Sequence, residues 1–132
     1  MKKRTFLLLG LVACVTMLIP MNVLAQEKSR AVIIDGQNNH NWSGTTPYLK
    51  KILEISGKFD VDVATSPAAG GDMENFNVDF QNYDLVVMNY NGDRWNKNMD
   101  AAFVKFMVDG GGLLVYHAGN NAFASWPAYN DM

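Results

Sequence analysis

The sequence predicts an α/β domain, doubly wound around a parallel sheet. Two observations carry that reading. Ala31-Val32-Ile33-Ile34, Leu85-Val86-Val87-Met88 and Leu113-Leu114-Val115-Tyr116 are short runs with no polar residue, the mark of strands covered on both faces. Between them lie stretches with helical spacing, and strand, helix, strand, strand, helix, strand at these intervals implies right-handed crossovers with helices on both faces.

The chain begins Met1-Lys2-Lys3-Arg4, continues through an apolar stretch from Thr5 to Pro20, and reaches Val23-Leu24-Ala25. A basic start, an apolar middle and a small residue at the end form a secretory signal peptide, with cleavage expected after Ala25. Pro20 and Asn22 interrupt the run before the roughly 20 apolar residues of a spanning helix, so no stable membrane span is expected. Leu11-Val12-Ala13-Cys14 reads alternatively as a lipoprotein box, but Val15 to Pro20 stay apolar where a lipoprotein turns polar. Residues 1–25 are thus taken as signal, 26–30 as a short N-terminal segment and 31–132 as one domain. Export to the periplasm or the extracellular space follows.

Without Lys2, Lys3 and Arg4, the 11 basic residues fall to 8 against 13 acidic ones, a net charge of −5. No basic cluster remains to neutralise phosphates, which argues against a nucleic acid partner. Cys14, the one cysteine, lies within the signal, so the exported form has neither disulfide nor thiol nucleophile.

Within the domain, the strand at residues 31–34 ends at Asp35-Gly36. Thr46-Pro47 then starts a helix, with threonine as cap and proline in the first turn; Leu49, Ile52 and Leu53 form its apolar stripe and Gly57 stops it. Phe59, Val61 and Val63 alternate with Asp60 and Asp62, the pattern of an edge strand with one wet face. Residues 65–82, with Pro67, Gly70 and Gly71, read as irregular, and residues 85–88 as a central strand. Asn98 caps a second helix bearing Phe103, Phe106 and Met107 and ending at Gly110-Gly111-Gly112. Those glycines follow a helix and precede a strand, the reverse of a phosphate cradle. Residues 113–116 form the next central strand. Met88 and Met107 serve as core filler.

In such sheets ligands gather at the carboxyl ends of the strands. The loops Gly36 to Gly44, Asn89 to Asn96 and His117 to Tyr129 hold Trp42, Trp95 and Trp126, both histidines, His40 and His117, and most of the asparagines beyond residue 25. A carboxamide both donates and accepts, which suits adjacent sugar hydroxyls, and an indole covers the apolar face of a pyranose. A small carbohydrate is the ligand class that composition favours. The plainer alternative is that asparagines are turn residues and tryptophans pin loops. Each histidine is a candidate general acid or base, or a ligand for a divalent metal with Asp35 or Asp93 as oxygen partner, against the plainer reading of a backbone hydrogen bond at a strand end. Asp93-Arg94 is either a positioning pair or a solvated surface pair. Asn41-Trp42-Ser43 matches a glycosylation acceptor, though nothing in the chain points to a glycosylating host.

The stretches AVIIDGQNNHNWSGTTPYLKKILE, FDVDVATSP, YDLVVMNYNGDRW and GGGLLVYHAGNNAFASWPAYNDM together resemble the ThuA-like family, named for trehalose utilisation, within the class I glutamine amidotransferase-like superfamily. The resemblance implies a flavodoxin-like sheet. Amidotransferases of that superfamily place a cysteine in a Gly-x-Cys-x-Gly turn between strand and helix. Here Val115-Tyr116-His117-Ala118-Gly119 stands in that place, with His117 at the nucleophile's position, and without a thiol no thiol-based glutamine hydrolysis is expected.

The resemblance further implies a role in catabolism of trehalose-like disaccharides or keto-sugars but supplies no catalytic roles; the candidates are His40 and His117 as catalytic groups, with Trp42, Asn89, Asn91, Asn120, Asn121 and Trp126 lining the pocket. The competing readings are a non-catalytic carbohydrate-binding module and an inactive fragment. Members of the family continue well past the WPAYN segment, which implies an incomplete sheet with an unpaired edge at residues 113–116, and either a homo-oligomer or a missing C-terminal half.

Overall fold

The computed structural model describes residues 27–132. The expected signal peptide, its cleavage point and Cys14 lie outside these residues. Among those described, no helix is long and apolar enough to cross a membrane.

Four strands form one parallel sheet: β1 (Ser29–Asp35), β2 (Phe59–Thr65), β3 (Leu85–Met88) and β4 (Gly112–Val115), in the order β2-β1-β3-β4. This is the flavodoxin-like winding, in which the chain reverses its direction of travel between β1 and β3. The reversal puts the helices on opposite faces. Leu49 and Leu53 of α1 (Trp42–Ile55) pack on Ala31, Ile33, Val61 and Val87. Met99, Phe103 and Phe106 of α2 (Lys97–Val108) pack on the alternate residues Val32, Ile34, Val86 and Met88. Because side chains alternate along a strand, the all-apolar runs of β1 and β3 feed two cores at once.

Four local expectations are corrected. Helix α1 begins a turn before Thr46-Pro47: the Asn41 side chain accepts from Gly44 N at 3.0 Å, and Pro47 lies inside the helix. An Asx cap followed by three helix-compatible residues outcompetes the later threonine. Ile52 does not join the buried stripe. It is 66% exposed and lies with Tyr48 and Ile55 on the outer face. Helix α2 is capped by Asn96 rather than Asn98; its side chain accepts from Met99 N at 2.9 Å. Its amide meanwhile donates to the carbonyls of Met73, Glu74 and Phe76, so the buried residue is the one that caps.

The fourth correction concerns β4, which is the outermost strand of the described sheet rather than a central one. Leu114, Val115 and Tyr116 are exposed. The opposite edge, β2, follows its alternating pattern at Phe59 and Val61 but not at Val63, which is exposed, and is flanked by the ion pairs Lys28–Asp60 and Arg30–Asp62. A 3₁₀ turn at Phe80–Asn82 is the one helical feature in the otherwise irregular stretch before β3. A second, His117–Asn121, follows β4 and leads to α3 (Pro127–Asn130).

Candidate functional site

At the carboxyl end of the sheet the two histidines meet. The rings of His40, in the loop after β1, and His117, directly after β4, lie 4.3 Å apart centre to centre, inclined at 50°. Both residues are exposed, and among the described residues neither ring makes a hydrogen bond. The His40 backbone is held instead, its N–H donating to Asn38 Oδ1 at 2.9 Å.

His117 sits on a sharp turn. Its φ is +46°, a left-handed conformation that a side chain with a Cβ seldom adopts. Two residues on, a Cβ at Gly119 would stand 2.5 Å from the carbonyl oxygen of Met88, so the turn must be glycine there to press against β3. Strand, strained residue and close-packed glycine present the imidazole at the end of the sheet. Strain held by surrounding structure is a feature of working sites.

Beneath the histidines lies a buried polar chain on the α1 face. Asp35 is 2% exposed and accepts from the Thr46 hydroxyl at 2.6 Å. Asn89 donates to Thr46 Oγ1 at 3.0 Å and to Thr45 Oγ1 at 3.1 Å, and its oxygen accepts from Asn38 Nδ2 at 3.3 Å. The ends of β1 and β3 are thereby fastened to the first turns of α1. Asp35 Oδ1 has no protein partner. Gln37 ties the loops above: its amide donates to the Pro67 carbonyl at 2.8 Å, its oxygen accepts from Asp93 N at 2.8 Å, and its backbone oxygen accepts from Asn91 N at 2.9 Å. A Cβ at Gly92 would lie 2.3 Å from the Gln37 side chain, which fixes glycine at that crossing.

The expected site residues therefore separate into groups. His40 and His117 come together, and Asn91 reaches Asn39 at 3.5 Å in the neighbouring loop. Trp42 is half-buried as the first residue of α1, and Asn120 and Asn121 are exposed on the turn after His117. Asn89 is a strut whose side-chain polar atoms are already engaged within the protein. Trp126 is buried in an aromatic core with Trp95, Phe103, Phe123 and Tyr129, and the Arg94 guanidinium lies 3.6 Å from its ring centre.

Asp93 and Arg94 are not paired with one another. Asp93 accepts from Gly70 N at 2.6 Å, while Arg94 bridges to Asp100 at 2.5 Å. Burial pushes the Asp100 carboxyl up, and the adjoining guanidinium offsets part of that shift. Asp35, held by Thr46, is not gathered with the histidines; among the described residues no group of three His, Cys, Asp or Glu side chains could hold a metal ion. Gln37 and Thr45 are organising residues that sequence reading missed, and Thr46, expected as a helix cap, instead ties Asp35 to Asn89 from the first turns of α1. A buried glutamine in a loop leaves no signal.

A family model described as ThuA, trehalose utilisation, matches residues 30–132. Among solved structures the chain is similar to a ThuA-like protein from Parabacteroides merdae, at 47% identity and a TM-score of 0.77, over 79% of this chain and 37% of that one. It is also similar to a ThuA-like protein from Bacteroides uniformis, at 20% identity and a TM-score of 0.57, over 86% of this chain and 46% of that one; at that identity the likeness speaks for the fold. The chain thus spans less than half the length of either solved relative. No curated protein matches it. With the family model covering all four strands and both histidine loops, the chain belongs to the ThuA family.

Proposed function

We propose that the chain is exported and serves carbohydrate catabolism, holding a trehalose-like disaccharide or a keto-sugar at the strand-end mouth where His40 and His117 meet. The observation that carries this reading is the 4.3 Å approach of two exposed imidazoles from loops on either side of β3. A neutral imidazole offers one donor and one acceptor nitrogen, so the pair can supply both proton transfers to a single guest. The exposed carboxamides of Asn120 and Asn121, next to His117 in sequence, and that of Asn91, in the loop after β3, are our candidates for orienting hydroxyls, and Trp42 is the indole nearest in sequence to His40. Membership of a family named for trehalose utilisation supports the substrate class.

Calorimetric titration of the full chain with trehalose and with its keto derivative tests the reading. Saturable binding that weakens in His40→Ala and His117→Asn is expected, and its absence for both sugars overturns the proposal. Turnover followed by NMR then separates an enzyme from a binding module: a module retains affinity and converts nothing.

A further inference from the structure

The two histidines of the mouth are the only two in the chain, and folding brings them from distant loops into ring contact. Exposed imidazoles with unengaged ring nitrogens are the borderline donors that divalent transition ions prefer. The spacing is also suited to an ion. Two imidazole nitrogens about 2.0–2.1 Å from one metal put the ring centres about 4.5 Å apart at the right angle of nickel or copper sites, and about 5.2 Å apart at the tetrahedral angle of zinc, which would need the two rings to part slightly. The observed separation is 4.3 Å, with the rings tilted by 50° rather than stacked flat. From this geometry we infer that His40 and His117 form a two-nitrogen site for a divalent transition ion of the nickel, copper or zinc type.

No third protein ligand joins them among the described residues, which sets the character of the site. A closed tetrahedral structural site is excluded by ligand number, and two or more positions stay open to water or a guest. Neither ring is fixed by an outer hydrogen bond, so the affinity belongs to an exchangeable ion rather than a permanent one. The order of affinity follows ligand softness: copper above nickel and zinc, with magnesium and calcium not held, since two neutral nitrogens offer hard cations nothing. Resting on the sugar reading above, the open positions would take two neighbouring oxygens of a polyol or hydroxy-ketone, placing the ion as a Lewis acid on the guest.

Calorimetric titration of the full chain at neutral pH with nickel, zinc and magnesium chlorides tests the inference. One nickel or zinc ion per chain is expected, no magnesium, and a loss of affinity of about 100-fold or more in His40→Ala and in His117→Asn alike. Asparagine is chosen at 117 because it tolerates the left-handed backbone, and a circular dichroism spectrum matching the parent shows that each variant is folded. The inference is overturned if no saturable binding occurs, or if binding survives in both variants. Repeating the trehalose titration with EDTA separates the two proposals: sugar binding without metal binding removes the ion and leaves the sugar reading intact, and metal binding without sugar affinity does the reverse.

Discussion

The hydroxyl of Thr46 donates to the buried carboxylate of Asp35 over 2.6 Å, and the same oxygen accepts from Asn89 at 3.0 Å. One side chain thereby joins α1 to the ends of two strands. Thr46→Val keeps the shape and removes both bonds, leaving the buried Asp35 carboxylate with no hydrogen-bond partner. A loss of about 3 kcal/mol in urea unfolding is expected. A loss below about 0.5 kcal/mol would show that the chain of bonds contributes nothing to stability.

The φ of +46° at His117 separates stability from function. His117→Gly relieves a left-handed strain of about 1 kcal/mol, so the melting temperature should hold or rise while sugar binding falls. His117→Val, β-branched in the same conformation, should melt several degrees lower. Equal melting temperatures for the two variants would contradict the strained turn.

Arg94 lies on Trp126 and bridges to Asp100. Arg94→Ala uncovers the indole and strands a half-buried carboxylate, whose proton affinity should climb further once the compensating cation is gone. The expected cost is about 1–2 kcal/mol, with greater quenching of tryptophan fluorescence by acrylamide. Unchanged quenching would place the indole elsewhere.

Burial pushes the Tyr129 phenol up to about 12, and burial, aided by the nearby Asp93 charge, raises Tyr90 further. Both values lie above the unfolded value of 10.0, so the stabilisation is complete below that pH and is lost as pH rises through the folded values. Phenolate absorbance should show these two rings ionising only together with loss of near-ultraviolet circular dichroism. Ionisation of all tyrosines near pH 10 in a still folded chain would refute their burial.

The two edges of the sheet differ in their protection. Strand β2 carries Asp60 and Asp62, paired with Lys28 and Arg30, whereas β4 and the residue after it, Gly112 to Tyr116, hold no charge or proline. An uncharged strand at the edge of the described sheet invites strand-to-strand association. Light scattering should rise with concentration for the parent and less steeply for Leu114→Lys, whose side chain is already 40% exposed. Identical curves would absolve the β4 edge.

The fold was legible because alternation and apolar runs report directly on coverage: the runs at 31–34 in β1 and 85–88 in β3 are apolar and covered on both faces, and β2 alternates and is an edge. The same signal misplaced β4, since a run such as Leu113 to Tyr116 records what a strand can pack against, not what lies beside it. Helix starts shifted because Asn41 and Thr46, or Asn96 and Asn98, compete as caps, and tertiary bonds decide between them. The meeting of His40 and His117 followed from the rule about strand ends. The indoles did not, because composition places a residue on a loop without saying whether its side chain turns inward, as Trp95 and Trp126 do.

Gln37 engages Pro67, Asn91 and Asp93 at once. The loops after β1, β2 and β3 are therefore one cross-braced frame rather than three independent flaps. Parting them means breaking several bonds in concert, so these strand-end loops hold their relative positions before anything binds, and Gln37→Ala is the exchange that would let the flaps part.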